Sequence, residues 1–163
     1  MNTSDFTTTL LVDNTPLEVF NAINNVRGWW SEEIEGNTDK LNDEFIYHYK
    51  DIHYCKMKLI EVEPQKKVVW YVLDNYFNFT NDKSEWRDTK VCFEISEKES
   101  QTLLHFTHEG LVPEYECFNI CNEAWSNYVH NSLRNLIETG NGLPNPKEGE
   151  GYNAELAKKW KLQ

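Results

Sequence analysis

Residues 113–139, PEYECFNICNEAWSNYVHNSLRNLIET, decide the fold of this chain. Phe118, Cys121, Trp125, Tyr128, Val129, Ser132, Leu133, Leu136 and Ile137 recur at steps of three and four, the stripe of one long amphipathic helix. Asn122, Asn127, Asn131 and Arg134 fall on the opposite, polar face. Nearly all strand-like sequence lies earlier, in short alternating runs between about Phe45 and His108. A single long helix after a run of strands must bury its apolar stripe on the sheet they form. The expected class is α+β: a curved antiparallel sheet wrapped around one long C-terminal helix. Such a sheet tends to leave a cavity beneath the helix, so the pattern points to a small-molecule binder.

Upstream, the chain opens with a strand over 6–12. Thr15, Pro16 and Glu18 then spell an N-cap, a first helical residue and the third-position partner of a capping box. A short helix with Val19, Phe20 and Ile23 on one face should run to about Asn25. Phe45, Tyr47 and Tyr49 share one strand parity, as do Cys55, Met57 and Leu59 on the next strand. The alternation blurs at Ile60 and Val62, which marks a bulge. Pro64-Gln65 turns the chain into a strand over 67–73, whose two parities, Val68/Trp70/Val72 and Val69/Tyr71/Leu73, are equally apolar. Residues 74–89 read as a long connection bearing Tyr76, Phe77, Phe79 and Trp86, a lid or a plug for the open end of the sheet. A last hairpin over 90–96 and 102–108 turns at 97–100. It brings Val91, Phe93 and Ile95 opposite Leu104, Phe106 and His108. Gly140 stops the long helix. Residues 1–140 are thus expected to form the domain. Residues 141–163 are expected to form a linker and tail, with a short helix over 153–162 docked through Leu156 and Trp160 on its own domain or on a neighbouring chain.

Composition narrows the function. The 163 residues carry 27 acidic and 16 basic side chains, a net charge of −11, which repels phosphate backbones and anionic membranes alike. No apolar run approaches the ~20 residues of a membrane span. The polar first nine residues lack a secretory pattern, which implies the cytoplasm, where the four cysteines stay reduced. Six Trp, eight Tyr and eight Phe suit either an aromatic pocket or a filled sheet–helix gap.

Three stretches carry a family resemblance. TPLEVFNAINNVRGWW at 15–30 resembles the opening helices of the START-like superfamily, whose helix-grip fold also serves polyketide cyclases. MKLIEVEPQKKVVWYV at 57–72 is similar to its central hairpin. LLHFTHEGL at 103–111, followed by the helix at Trp125, looks like the branch related to the C-terminal domain of the activator of the ninety-kilodalton heat-shock chaperone's ATPase. The resemblance spans residues 7–140. It implies a helix-grip domain without that activator's second, chaperone-binding domain.

The expected ligand-binding residues are Trp30, Tyr47, Tyr49, Trp70, Phe106, His108, Cys121, Trp125, Tyr128 and Val129, around a hydrophobic or aromatic small molecule. His108 suits either a ligand contact or a core-edge histidine bonded to its neighbours. Cys117 and Cys121 share a helix face, but no metal-ligand spacing accompanies them, so no metal and no cofactor is expected. His48 and His53 should flank an exposed turn. No Ser-His-Asp series, phosphate loop or HExxH motif is present, and no catalytic residue is assigned. Two other functions stay open: an interaction module that serves a chaperone, and an enzyme on an aromatic or polyketide-like substrate. A homodimer is compatible with either.

Overall fold

A computed structural model describes residues 4–162, so Met1–Thr3 and Gln163 of the expected spans lie outside the described residues. Seven strands form one antiparallel sheet: β1 Phe6–Val12, β2 Ile34–Gly36, β3 Glu44–Tyr49, β4 His53–Glu63, β5 Lys67–Phe77, β6 Lys90–Lys98 and β7 Gln101–Glu109. Their order is β1-β7-β6-β5-β4-β3-β2, so the chain meanders from β2 to β7 and the first strand closes the far edge. Between β1 and β2, Pro16–Asn24 forms α1, and Val26–Gly28 is a single tight 3₁₀ turn. The capping box is formed: Glu18 N–H donates to Thr15 Oγ1 at 3.2 Å, and Thr15 N–H donates to Glu18 Oε1 at 3.0 Å.

The long helix is α2, Phe118–Asn127, continued without a break through a π-helical stretch, Tyr128–Leu133, into α3, Arg134–Thr139. It starts five residues later than its periodicity predicts. The reason is long-range: the buried Glu85 carboxylate accepts from Glu116 N–H at 2.8 Å and Cys117 N–H at 3.1 Å, which holds 112–117 as turns ahead of the first helical residue. Gly140 ends the helix with a φ of +85°.

The predicted bulge appears as a register shift between Leu59 and Glu61, with a second between Lys56 and Met57. The undecided parity of β5 resolves to Val68, Trp70 and Val72 on the concave side with the other core residues. Three boundaries differ from the sequence reading. Toward their shared turn, which is Glu99-Ser100 alone, β6 runs two residues further and β7 one. Asp74–Phe77 belong to β5, where they pair with β4 from His53 to Lys56, so the connection is only 78–89. The three-residue β2, too short to show alternation, pairs with β3.

The core sits between the concave sheet and the long helix, with stacked indole rings at its centre. Trp29, Trp30, Trp70 and Trp125 are each at most 1% exposed. Trp70 stacks on Trp30 at 5.8 Å and 5° and on Trp29 at 6.1 Å and 17°. Trp86, from the 78–89 connection, stacks on Trp125 at 5.7 Å and 13°. Offset stacks of this kind add about 0.5–1.5 kcal/mol each beyond the area buried. After Gly140 the chain lies along its own domain. Asn145 N–H donates to Trp30 O at 3.0 Å, and Glu32 N–H donates to Asn145 O at 2.9 Å. The last helix, α4, is Tyr152–Trp160. Leu156 is buried on the domain, whereas Trp160, expected beside it and standing at the last helical position, is 37% exposed.

Candidate functional site

The indole stack stops short of one end of the seam, and a pocket of about 60 Å³ remains there. Its wall contains Trp30, Tyr47 and Tyr49 from the β3 side, Cys121, Trp125 and Tyr128 from the long helix, and His53, Phe77, Phe79 and Trp86 from the strand ends and the connection. Ile52, Ile120, Ala124, Asn153, Leu156 and Leu162 complete it. Strand alternation puts Tyr47 and Tyr49 on the concave face. Helical spacing of three and four puts Cys121, Ala124, Trp125 and Tyr128 on the facing side. The wide π turn begins at Tyr128, where the helix meets this wall.

Six of the ten residues expected from sequence, Trp30, Tyr47, Tyr49, Cys121, Trp125 and Tyr128, line the pocket together. Trp70, Phe106, His108 and Val129 are fully buried behind that wall. His108 is the clearest case. Trp125 Nε1–H, a pure donor, points at His108 Nδ1 at 3.0 Å, so the ring proton sits on Nε2 and donates to Thr89 Oγ1 at 2.8 Å. Thr89 Oγ1–H in turn donates to Trp86 O at 2.5 Å. Both ring nitrogens are occupied by the fold. Burial, with the nearby His53 ring adding to it, pushes the imidazole pKa down to about 3, so it is neutral at pH 7.

His53 is the correction on the other side. Expected at an exposed turn, it stands instead in the pocket wall, 4.4 Å from the Phe77 ring and edge-on to Trp86 at 4.8 Å. Its Nε2 faces Asn75 Oδ1 at 3.2 Å. Burial lowers its pKa to about 3, against a smaller opposing effect of the Asn75 contact. The extension of β5 to Phe77 carries this ring inward, since it pairs His53 with Phe77.

One polar corner breaks the apolar wall. Asn153 Nδ2–H donates to Tyr47 Oη at 2.7 Å, and Tyr128 Oη–H donates to Asn153 Oδ1. Asn145 Nδ2–H donates to Tyr128 Oη at 2.9 Å, and Asn153 N–H donates to Asn145 Oδ1 at 2.8 Å. Burial raises the pKa of both phenols well above the usual tyrosine range, so both remain protonated. Asn145 and Asn153 come from beyond the long helix, where no periodic pattern singles them out. The same holds for Phe79 and Trp86 in the connection.

Among the described residues, no group of His, Cys, Asp or Glu has a metal-binding arrangement, and all four cysteines are buried free thiols. The Cys121 contact, with burial adding to it, holds the Cys117 thiol protonated. No described helix is long and apolar enough to cross a membrane.

No family model matches the sequence, and none of the curated proteins matches it either. Solved structures do match. The Aha1 dimer from Colwellia psychrerythraea superposes with a TM-score of 0.68 at 20% identity, over 85% of this chain and 98% of that one. DynU16, from the dynemicin biosynthetic locus, gives 0.63 at 14% identity, over 86% of this chain but 49% of its own. A conserved protein of unknown function from Enterococcus faecalis, EF2215, gives 0.58 at 15% identity and covers all of this chain and 90% of its own. At such identities the likeness is one of architecture. The fold is therefore the one shared with the Aha1 structure, a curved antiparallel sheet wrapped around one long C-terminal helix in the helix-grip arrangement.

Proposed function

We propose that this chain binds a small apolar or aromatic molecule in the pocket between the sheet and the long helix. The observation that carries the reading is the wall itself. It is made mostly of rings and aliphatic groups, with the Tyr47 and Tyr128 phenols, the Asn153 carboxamide between them and the neutral His53 ring as its polar points, and no ionic side chain. Such a lining favours a neutral, largely apolar ligand over a charged one, because an unpaired charge there loses its hydration without recompense. The helix-grip fold of DynU16, from a biosynthetic locus, agrees with a small-molecule role. The ligand's identity stays at the level of that chemistry.

A catalytic role has less support. His53 and His108 are held neutral by burial, and no base–nucleophile pair meets in the pocket among the described residues. A second reading, a chaperone-associated or self-associating module, draws on two observations. Side chains, stacked indoles among them, leave only about 60 Å³ at the seam, and the Aha1 structure is a dimer.

Native mass spectrometry of protein purified gently from cells separates these readings. A co-purifying small mass, lost in Ala124→Phe, is the expected result, because Ala124 lines the pocket and a phenyl ring there fills it. Unliganded protein that also shows no NMR shift with aromatic fragments would sink the ligand-binding reading. A dimer mass with an empty pocket would favour the second.

A further inference from the structure

The pocket is closed on one side by the tail rather than by the sheet or the long helix. Asn153 and Leu156 of α4, and Leu162 just beyond it, are part of the wall. At about 60 Å³ the remaining space is far below the ~300 Å³ at which ligand pockets begin. A ring-bearing ligand therefore needs the volume that these tail side chains occupy.

The tail is attached in two unequal parts. Residues 141–147 are pinned: Asn145 bonds Trp30 through its backbone and side chain, each at 3.0 Å, and Lys147 N–H donates to Glu32 Oε1 at 3.0 Å. Residues 147–150 are then exposed. Beyond them α4 is held by Asn153, by the buried Ala154 and Leu156, by Tyr152, whose ring meets Tyr128 at 5.5 Å and whose hydroxyl donates to Glu123 O at 3.3 Å, and by a Lys159–Glu123 ion pair whose lysine is 63% exposed. An exposed pair adds little, and a nine-residue helix has little stability of its own. Release of α4 breaks these contacts alone, whereas opening the seam elsewhere also separates the sheet from the long helix.

What α4 inserts between the phenols has a definite chemistry. The Asn153 carboxamide offers its carbonyl oxygen to the Tyr128 hydroxyl and its N–H to the Tyr47 oxygen. Beside it, Trp30 stacks on Tyr47 at 4.2 Å and meets Trp125 at 5.2 Å, a wall shaped for a flat ring. We propose that α4 is a built-in occupant of the pocket, and that the ligand displacing it is a neutral aromatic carboxamide, or a close isostere, that repeats the Asn153 hydrogen bonds. The inference rests on the ligand-binding reading above and names the ligand class of that same site. A carboxylate of equal shape is excluded, since it brings an unpaired charge to a wall without a cation.

The test uses the full-length protein with three probes of similar size: benzamide, benzoate and toluene. Benzamide is expected to bind at least tenfold more tightly than toluene, and benzoate not to bind. Hydrogen exchange of the amides over 152–160 should accelerate when benzamide saturates the protein, while exchange in β3–β7 slows or holds. The double variant Asn153→Ala/Leu156→Ala, which loosens α4, should bind benzamide at least tenfold more tightly than the parent, because less of the ligand's affinity goes into displacing the helix. Benzamide binding with α4 exchange unchanged or slowed would overturn the displacement while leaving the pocket reading intact. Benzoate binding as tightly as benzamide would overturn the ligand class. If no probe binds either protein, the pocket reading fails and this inference goes with it. The exchange measurement on the parent protein stands even if the double variant folds poorly.

Discussion

At the scale of single residues, the pocket wall depends on groups that never touch it. His108 orients Trp125 from behind, and Thr89 orients His108. His108→Phe keeps a ring of similar size but leaves the Trp125 N–H without its acceptor in a dry site. Such a loss costs about 1–3 kcal/mol. Chemical denaturation should show a lower midpoint of that order, while the affinity of any aromatic probe for the pocket changes little. A large loss of affinity at unchanged stability would instead give His108 a direct role. Gly142 is a second such residue. A Cβ there would lie 2.0 Å from Gly28 O and 3.3 Å from Ser132 O, and neither backbone oxygen can rotate away. Gly142→Ala should therefore destabilise by about 1–3 kcal/mol, as overpacking does. An unchanged thermal midpoint would mean that 141–145 can lift off the Trp29–Trp30 segment freely.

Among the elements, the start of the long helix shows where reading along the chain runs out. Its stripe from Phe118 to Ile137 is plain in the sequence, and so is the concave parity of β3. Together these place Tyr47, Tyr49, Cys121, Trp125 and Tyr128 on facing walls. Its first turn is set by Glu85, which lies on a different connection, and nothing periodic announces that contact. Glu85→Ala should fray the first turn of α2 and cost about 1–3 kcal/mol, since two helix-entry N–H groups lose a charged acceptor. Faster amide exchange at Glu116 and Cys117, with the middle of the helix unaffected, is the expected signature. Unchanged exchange at those two amides would deny Glu85 its capping role. The same limit explains the rest of the site. Phe79 and Trp86 reach the pocket from a connection of irregular spacing, where burial is decided by chain return rather than by period, and Asn153 reaches it from the start of α4 with Asn145 bonded behind it. Parity also cannot separate a residue lining a pocket from one layer behind it, which is how Trp70, Phe106 and His108 entered the expected set.

For the molecule as a whole, acid should weaken the fold well before most carboxylates titrate. Burial holds His53 and His108 neutral in the folded state, with pKa values near 3, whereas an unfolded histidine takes up a proton below about pH 6.5. Between those limits the unfolded chain binds more protons than the folded one, so stability is full above about pH 6.5 and declines as pH falls toward 3. From pH 7 to pH 5 the fully buried His108 removes about 2 kcal/mol. His53 contributes less than His108, because part of its residue surface reaches solvent. His130, lowered by burial and by Arg134, adds a smaller contribution of the same sign. The net charge of −11 works in the opposite direction, since protonation relieves repulsion, but carboxylates near pH 4 supply most of that relief. Salt at 0.2 M or above screens it further. Denaturant titrations at pH 7, 6 and 5 in such salt should therefore show unfolding free energy falling with pH, and His108→Phe should flatten the fall by roughly half. If the variant and the parent lose stability in parallel, the histidine behind Trp125 is not the group that senses acid, and the hydrogen-bond chain assigned to it is wrong.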